Sequence, residues 1–422
     1  MTITRQFWVV AHRWAGLTIA LFLTIAGFTG IFLAFMDDLE GVIAPELHRV
    51  EARADRSPLD PLAVRQAVLS AHPGAVINYA PLNVVPGHSM SFSLDRIDPK
   101  TGVTQPWSED WDELFVDPYS RRTLGHRTWG AISEGRVNLM PFVYRLHYSL
   151  ALGDYGMLAF GIAALIWTID SFVGFYLTFP VRVLRKGKPV SANAAGWRQR
   201  WKPSWFVRWR SSAYKINFDL HRAGGLWIWP MLLVFSWSSV AFNLTQVYTP
   251  VMKLFGAVDT EAGIAPLAKP RTAPRLDFEA ARTRGRELAR TEMARLGLAV
   301  EGEDSLYHEP GAGVYAYRFT STRDFTNEGG RSTVIFDSKS GALRKIDLPS
   351  GQNGANTFTN WIMALHMALV FGLPYRICVS LIGALVTMLS VTGVVIWTKK
   401  RSARIGRTSR LPSRHSNTVP AE

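Results

Sequence analysis

Ten histidines occur in the chain, and four of them, His12, His147, His221 and His366, stand at the start of long apolar runs. A neutral imidazole on a helix inside an apolar bundle offers one nitrogen lone pair. Two such rings on facing helices at one depth are the ligand set of a bis-histidine haem. His12 and His221 both follow basic sequence and so share one end of a bundle, while His147 and His366 share the other. The expectation is two haem irons, one held by His12 and His221 and one by His147 and His366. A bare metal ion fits less well, because no carboxylate or cysteine falls on the same helix faces at ligand spacing. Taken singly, each histidine reads more simply as a hydrogen-bonded or snorkelling ring at an interface, and it is the repetition in two matched pairs that favours the ligand reading.

The neighbours of these residues fit a macrocycle. Gly16 and Gly225 follow their histidines by one helical turn and leave room on that face. Arg13 and Arg222 adjoin the histidines where propionates need cationic partners, and Arg145 and Arg376 are placed to serve the other end. Asp170 is the one carboxylate within an apolar run, with proton movement and a plain interhelical hydrogen bond as its two readings. His48, His72, His88, His126, His308 and His415 read as solvated, with His126, close to Arg127 and Trp129, a further candidate to line the outer haem. The loop holding Trp107, Glu109, Asp110, Trp111, Asp112 and Glu113 reads first as a solvated turn and second as a binding place for a cationic or iron-bearing substrate.

The elements that must position these residues follow from composition. Hydrophobic residues make up 48% of 422 residues, yet the mean hydropathy is only +0.06, so membrane segments must alternate with soluble ones. The runs 14–36, 155–181, 223–252 and 377–398 carry no charge apart from Asp170, and each is long enough for a hydrocarbon core of about 30 Å. The first is too long for a cleaved leader and reads as a retained anchor. Arginines and lysines crowd residues 182–210 and the tail from Lys399, which puts both termini and the middle loop on the cytoplasmic side and the two long connections outside. The net charge of +14 is then a matter of topology, and no nucleic-acid partner is expected. Trp197, Trp201, Trp205 and Trp209 among those basic residues read as an interfacial segment on the inner leaflet, with docking of an acidic electron donor as the alternative. Cys378 is the sole cysteine, so the outer segments fold without an internal disulfide.

Each outer segment reads as a helix followed by strands: a helix at 59–72 with strands at 75–81, 89–95 and 114–117, then a helix at 278–296 with strands at 314–320, 333–337 and 342–346. Both close on an aspartate turn, at Asp117 and at Asp337. Placing His147 on His366 puts Gly153 on Gly372, Ser171 on Ser390 and Gly174 on Gly393. Placing His12 on His221 matches Arg13, Gly16 and Leu17 with Arg222, Gly225 and Leu226. The chain is thus a tandem duplication of span, outer module, span. The fold class expected is an integral membrane α-helical protein with four transmembrane helices in two tandem repeats and two small α+β modules. The divisions are 1–36 (first span), 37–139 (first module), 140–181 (second span), 182–213 (basic loop), 214–252 (third span), 253–356 (second module), 357–398 (fourth span) and 399–422 (basic tail). If each span ran on as one helix, His147 and His366 would stand roughly 12 to 16 Å outside the charge-free cores.

Those motifs carry a resemblance. The two histidine-arginine-glycine starts, the stretches from Arg145, Leu146 and His147 to Gly153 and from Ala364, Leu365 and His366 to Gly372, and the two aspartate turns are similar to the PepSY-associated transmembrane family of iron-regulated membrane proteins, which includes inner-membrane ferrisiderophore reductases. The resemblance implies PepSY-like periplasmic modules, two haems b, and electrons crossing the bilayer to reduce a ferric siderophore or other iron chelate. No Gly-x-Gly-x-x-Gly opens a helix after a strand, so the donor is expected to be external, quinol or a soluble reductase. Two other readings stand beside this one: a peptidase-inhibiting or envelope-sensing module on a membrane anchor, and a transporter of iron chelates.

Overall fold

A computed structural model describes residues 4–52, 57–98, 103–108, 110–181, 196–257, 264–327 and 329–408, so part of the basic loop, most of the tail and Glu109 lie outside the described residues. The helices that position the site are α1 (Arg5–Leu33), α2 (Pro61–Ala71), α3 (Leu139–Ser149), α4 (Gly153–Thr178), α5 (Ala213–Trp227), α6 (Trp229–Asn243), α7 (Thr245–Leu254), α8 (Phe278–Arg295), α9 (Gly354–His366) and α10 (Gly372–Thr408). The strands are β1 (Tyr79–Pro81), β2 (Met90–Ser93), β3 (Asp95–Ile97), β4 (Thr104–Pro106), β5 (Glu113–Val116), β6 (Thr123–Arg127), β7 (Val300–Glu309), β8 (Val314–Ser321), β9 (Ser332–Asp337) and β10 (Leu343–Asp347).

Among the described residues, three helices are by themselves long and apolar enough to cross a membrane: α1, α4 and the portion Gly372–Ser402 of α10. The third run is not one straight span. It bends by 72° between α5 and α6, and counts as a fourth span only if that pair is taken together. Pro230 lies in the first turn of α6. It has no N–H to donate, and its ring would clash with the carbonyl four residues back, a cost of about 3 kcal/mol inside a continuous helix. A second break at Leu244 separates α7, so the expected division 214–252 holds three helices.

The divisions 140–181 and 357–398 are broken as well. Leu150 and Ala151 adopt positive φ between α3 and α4, as do Ala368 and Phe371 between α9 and α10. The first turn of α4 then packs directly on the end of α3: a methyl group at Gly156 would stand 1.7 Å from the Ser149 carbonyl oxygen, so no larger residue fits there. His147 and His366 therefore ride on the short helices α3 and α9, which lie against α1 and α6 respectively. They do not project outward along α4 and α10.

The bundle has an internal two-fold character. α1 packs on α10 and on α4, α6 packs on α4 and α9, and α5 packs on α10. Without a hydrophobic driving force between helices in lipid, small residues let backbones meet. At the α1–α10 crossing, a methyl at Gly27 would lie 2.7 Å from Thr387 Oγ1 and 2.8 Å from the Gly383 carbonyl. The repeat-related positions, Ser236 on α6 and Ala164 on α4, are also small and buried.

The two outer modules differ from the expectation of separate units. The first pairs α2 with a three-stranded sheet, β2-β5-β6, and a two-stranded β3-β4, over a core of Val64, Val68, Ile77, Phe92, Leu94 and Leu114. The second pairs α8 with a five-stranded antiparallel sheet in the order β1-β7-β8-β9-β10. Its edge strand β1 comes from the first module, with Tyr79 opposite Tyr307 and Pro81 opposite Ser305. Leu62 of α2 also joins the second core beside Leu288, Tyr317 and Phe336. The Arg65 guanidinium lies 3.5 Å above the Phe278 ring, and Arg282 bonds Asp60 at 2.6 Å. The modules are one composite body.

Candidate functional site

The structure brings the four histidines together in the two pairs. The His12 and His221 ring centres are 6.1 Å apart with planes at 58°, and those of His147 and His366 are 6.2 Å apart with planes at 89°. All four rings are partly exposed rather than sealed in the core. Metal–imidazole bonds of about 2.0 Å on opposite sides of one ion put ring centres on the order of 6 Å apart. Along α1, His12 and Thr29, which touches His147, are separated by roughly 26 Å at 1.5 Å per residue, so the two pairs sit near opposite ends of the bundle.

Each ring is oriented through Nδ1. His12 Nδ1 lies 3.0 and 2.9 Å from the two carboxylate oxygens of Asp170 on α4. His221 Nδ1 lies 3.0 Å from the Leu389 carbonyl and 3.2 Å from Thr392 Oγ1, both on α10. His147 Nδ1 is 2.9 Å from Thr29 Oγ1, and His366 Nδ1 is 2.6 Å from Ser238 Oγ. These partners fix the tautomer. A carboxylate and a carbonyl only accept, and the Thr29 and Ser238 hydroxyls already donate to the Ile25 and Val234 carbonyls, so each Nδ1 carries the proton and donates it. The lone pair is left on Nε2, to which no hydrogen bond runs among the described residues. This is the arrangement a metal-ligating histidine adopts, with the second nitrogen held by an outer partner.

The partners obey the duplication. Thr29 and Ser238 are related by the offset that relates His12 to His221, and Asp170 and Leu389 by the offset that relates His147 to His366. Small residues cradle the rings in the same way. A methyl at Gly174 would meet His12 Cε1 at 3.2 Å, one at Gly393 would meet His221 Cε1 at 3.4 Å, and one at Gly30 would meet His147 Cε1 at 3.4 Å. Sequence reasoning missed Thr29, Ser238, Leu389 and Gly30, although aligning the repeats exposes Thr29 and Ser238 as hydroxyls at one matched position.

Of the other expected site residues, Gly16 has nothing within 4 Å of an added methyl among the described residues, while a methyl at Gly225 would meet Leu389 at an ordinary 3.8 Å. Arg13 makes no hydrogen bond or ion pair among the described residues, and its buried Nε is unpartnered. Arg222 has an equally unpartnered buried Nε but bonds Asp219 at 2.9 Å and the Pro203 carbonyl at 2.7 Å. Among the described residues, the Arg145 side chain bonds only the Gly130 carbonyl, at 3.3 Å. Arg376 is committed elsewhere: it bonds the Ala34 carbonyl at 2.6 Å and pairs with Asp38, tying the start of α10 to the end of α1. His126 does not face the pair either, because it is exposed on β6 and stacks on Trp111 at 5.2 Å. The acidic loop is structural where described: Glu113 bonds Arg127 at 2.7 Å, and Asp112 accepts the Trp129 amide at 2.8 Å.

The donor sets decide what the pairs can hold. No group of three or more histidine, cysteine, aspartate or glutamate side chains is gathered for a metal ion among the described residues. Two opposed imidazoles with free Nε2 atoms suit an ion that brings its equatorial ligands with it, as haem does. The Arg13 guanidinium, which lies over the Trp14 ring with no hydrogen bond among the described residues, and the partly free one of Arg222 suit its propionates.

The model of the PepSY-associated TM region matches residues 9–400. The chain belongs to that family. The match takes in all four histidines and both sheet-bearing modules, and its membrane character agrees with the apolar helices. No curated protein matches the chain.

Proposed function

We propose that this member of the PepSY-associated TM family is a haem-b electron conduit of a bacterial inner membrane. It takes electrons on the cytoplasmic side or from quinol and reduces a periplasmic acceptor, a ferric siderophore or other iron chelate, so that ferrous iron is released. The observation that carries this reading is the pair of repeat-related imidazole sets, each with Nδ1 anchored, Nε2 unshared and ring centres 6.1 or 6.2 Å apart. The basic residues from Arg198 to Arg210 and at Lys399, Lys400 and Arg401 orient the His12 end toward the cytoplasm, which leaves the composite sheet body in the periplasm.

Haem, when bound, supplies a one-electron ferric–ferrous couple. The protein's residues do the rest. His12, His221, His147 and His366 would hold it through their Nε2 atoms, while Asp170, the Leu389 carbonyl, Thr29 and Ser238 keep those rings in the Nδ1–H tautomer. Arg13, Arg222 and Arg145 would supply cations for its propionates. Release of iron follows from hard oxygen chelators favouring the more highly charged ion.

The test is a dithionite-reduced minus air-oxidised spectrum of the purified protein, with the haem-to-protein ratio. Two haems per chain are expected, and anaerobic addition of a ferric hydroxamate should reoxidise them. Protein that folds but takes up no haem would overturn the proposal in favour of a sensor or peptidase-binding module. Haem that a ferric chelate fails to reoxidise would overturn the assignment of the acceptor.

A further inference from the structure

Three of the four histidines donate Nδ1–H to neutral acceptors: the Leu389 carbonyl, the Thr29 hydroxyl and the Ser238 hydroxyl. His12 alone donates to a carboxylate, and Asp170 presents both oxygens to it. The contrast lies within one repeat-matched position, since Asp170 and Leu389 correspond and only the backbone of Leu389 serves His221. Asp170 is 8% exposed, and His12 is its only ionic contact among the described residues.

A carboxylate on Nδ1–H raises the electron density that the ring delivers from Nε2, and its own charge acts through a poorly screened interior. Both effects favour the ferric over the ferrous ion. We infer that the Asp170–His12 contact makes the His12–His221 pair the lower-potential site, so that electrons run downhill from the basic end of the bundle to the module end. This rests on the haem reading of both pairs. In that scheme a reductant of the quinol or flavin class gives up one electron at the His12 end, the His147–His366 end gains it, and a ferric chelate is the final oxidant. Asp170 is then a positioning residue that acts through His12, and it gives the otherwise symmetric duplication a direction.

The experiment is a spectroelectrochemical titration of the purified haem-loaded protein, with the His221→Ala variant used to assign the wave of the His12–His221 end. Two one-electron waves are expected, the lower belonging to that end. Asp170→Asn should raise the lower wave alone by a tenfold change in the ferrous-to-ferric ratio, about 59 mV for one electron, and Asp170→Glu should restore it. Thr29→Asp places a carboxylate at His147 and should lower the upper wave, narrowing the gap. This second variant tests the inference even if Asp170→Asn loses its haem. Two waves that stay put in both variants, or a response at the wrong end, would overturn the inference and leave the haem reading intact. Protein without haem would instead remove the reading on which it rests.

Discussion

The membrane half and the sheet half of this protein carry the sequence repeat to very different extents. In the bundle, matched positions still do matched work: Thr29 and Ser238 orient a histidine, Gly174 and Gly393 cradle one, and Gly27 with Gly383 answers to Ser236 with Ala164. Outside it, one module has a three-stranded sheet and the other a five-stranded one that borrows a strand. The difference is one of constraint. A ring that must reach a partner across a helix crossing tolerates little displacement in a close-packed apolar environment. A sheet that only has to close a core can gain strands, bulges and charge networks.

The largest effect that would sharpen this contrast is expected in the bundle. On the proposed haem reading, His221→Ala should remove the haem at its own end while leaving the other, so the haem-to-protein ratio falls from two to one; loss of both would break the pairwise picture. In the first module, Arg127 is 3% exposed and bridges Glu40 and Glu113, each at 2.7 Å. Burial pushes the Glu40 carboxyl up while Arg127 holds it down. Arg127→Met leaves two carboxylates facing each other without a cation and should cost about 3–5 kcal/mol, read as a drop in the midpoint of chemical unfolding.

The matching network of the second module is more open. Glu303 takes Arg282 and Arg286 at 2.7 Å and the Tyr317 hydroxyl at 2.9 Å, and although burial opposes it, these partners hold its carboxyl down to about 2. Glu303→Gln should cost less, about 1.5–3 kcal/mol, by the same measurement. If it cost more than Arg127→Met, the ranking of the two modules would be reversed.

The smallest effect is a slope. Burial, with Arg271 and Arg65 nearby, lowers the His308 imidazole to about 4, and burial with Arg127 does the same for His48. The folded state keeps these rings neutral while the unfolded chain protonates near its ordinary value of about 6.5. Stability from these groups is therefore fully present above that value and is lost as pH falls toward about 4. His308→Gln should flatten part of the decline in thermal midpoint between those two limits, and an unchanged slope would exclude it as a contributor.

Much of this was legible in the sequence because the duplication leaves constant offsets, and a constant offset pairs residues without knowledge of the fold. That is how the four histidines could be matched by depth. What stayed hidden depends on the path of the backbone. The positive φ of Leu150, Ala151, Ala368 and Phe371 is adopted by residues with no preference for it, so the turns that return α3 and α9 to the bundle show in the sequence only through Gly153 and Gly372, the positive-φ glycines that end them. The break in the third span did leave one, in Pro230, which an unbroken hydropathy window passes over. β7 escaped because its acidic, glycine-containing start resembles a loop, and only Ser305, Leu306 and His308 of its residues are buried. The placement of β1 was invisible in principle, since three residues carry no record of the sheet they will join.

That borrowed strand bears on how the molecule is made. Residues 79–81 emerge from the ribosome early, but the strand they must lie against, residues 300–309, is translated only after the intervening apolar helices. The outer body can be completed only once those segments have been inserted and the later chain has crossed to the same side of the bilayer. A chain stopped after α4 would carry β1 with no partner, an open edge that quality-control proteases and chaperones can detect. The composite sheet can therefore close only after both halves of the chain have been delivered to the same side of the bilayer.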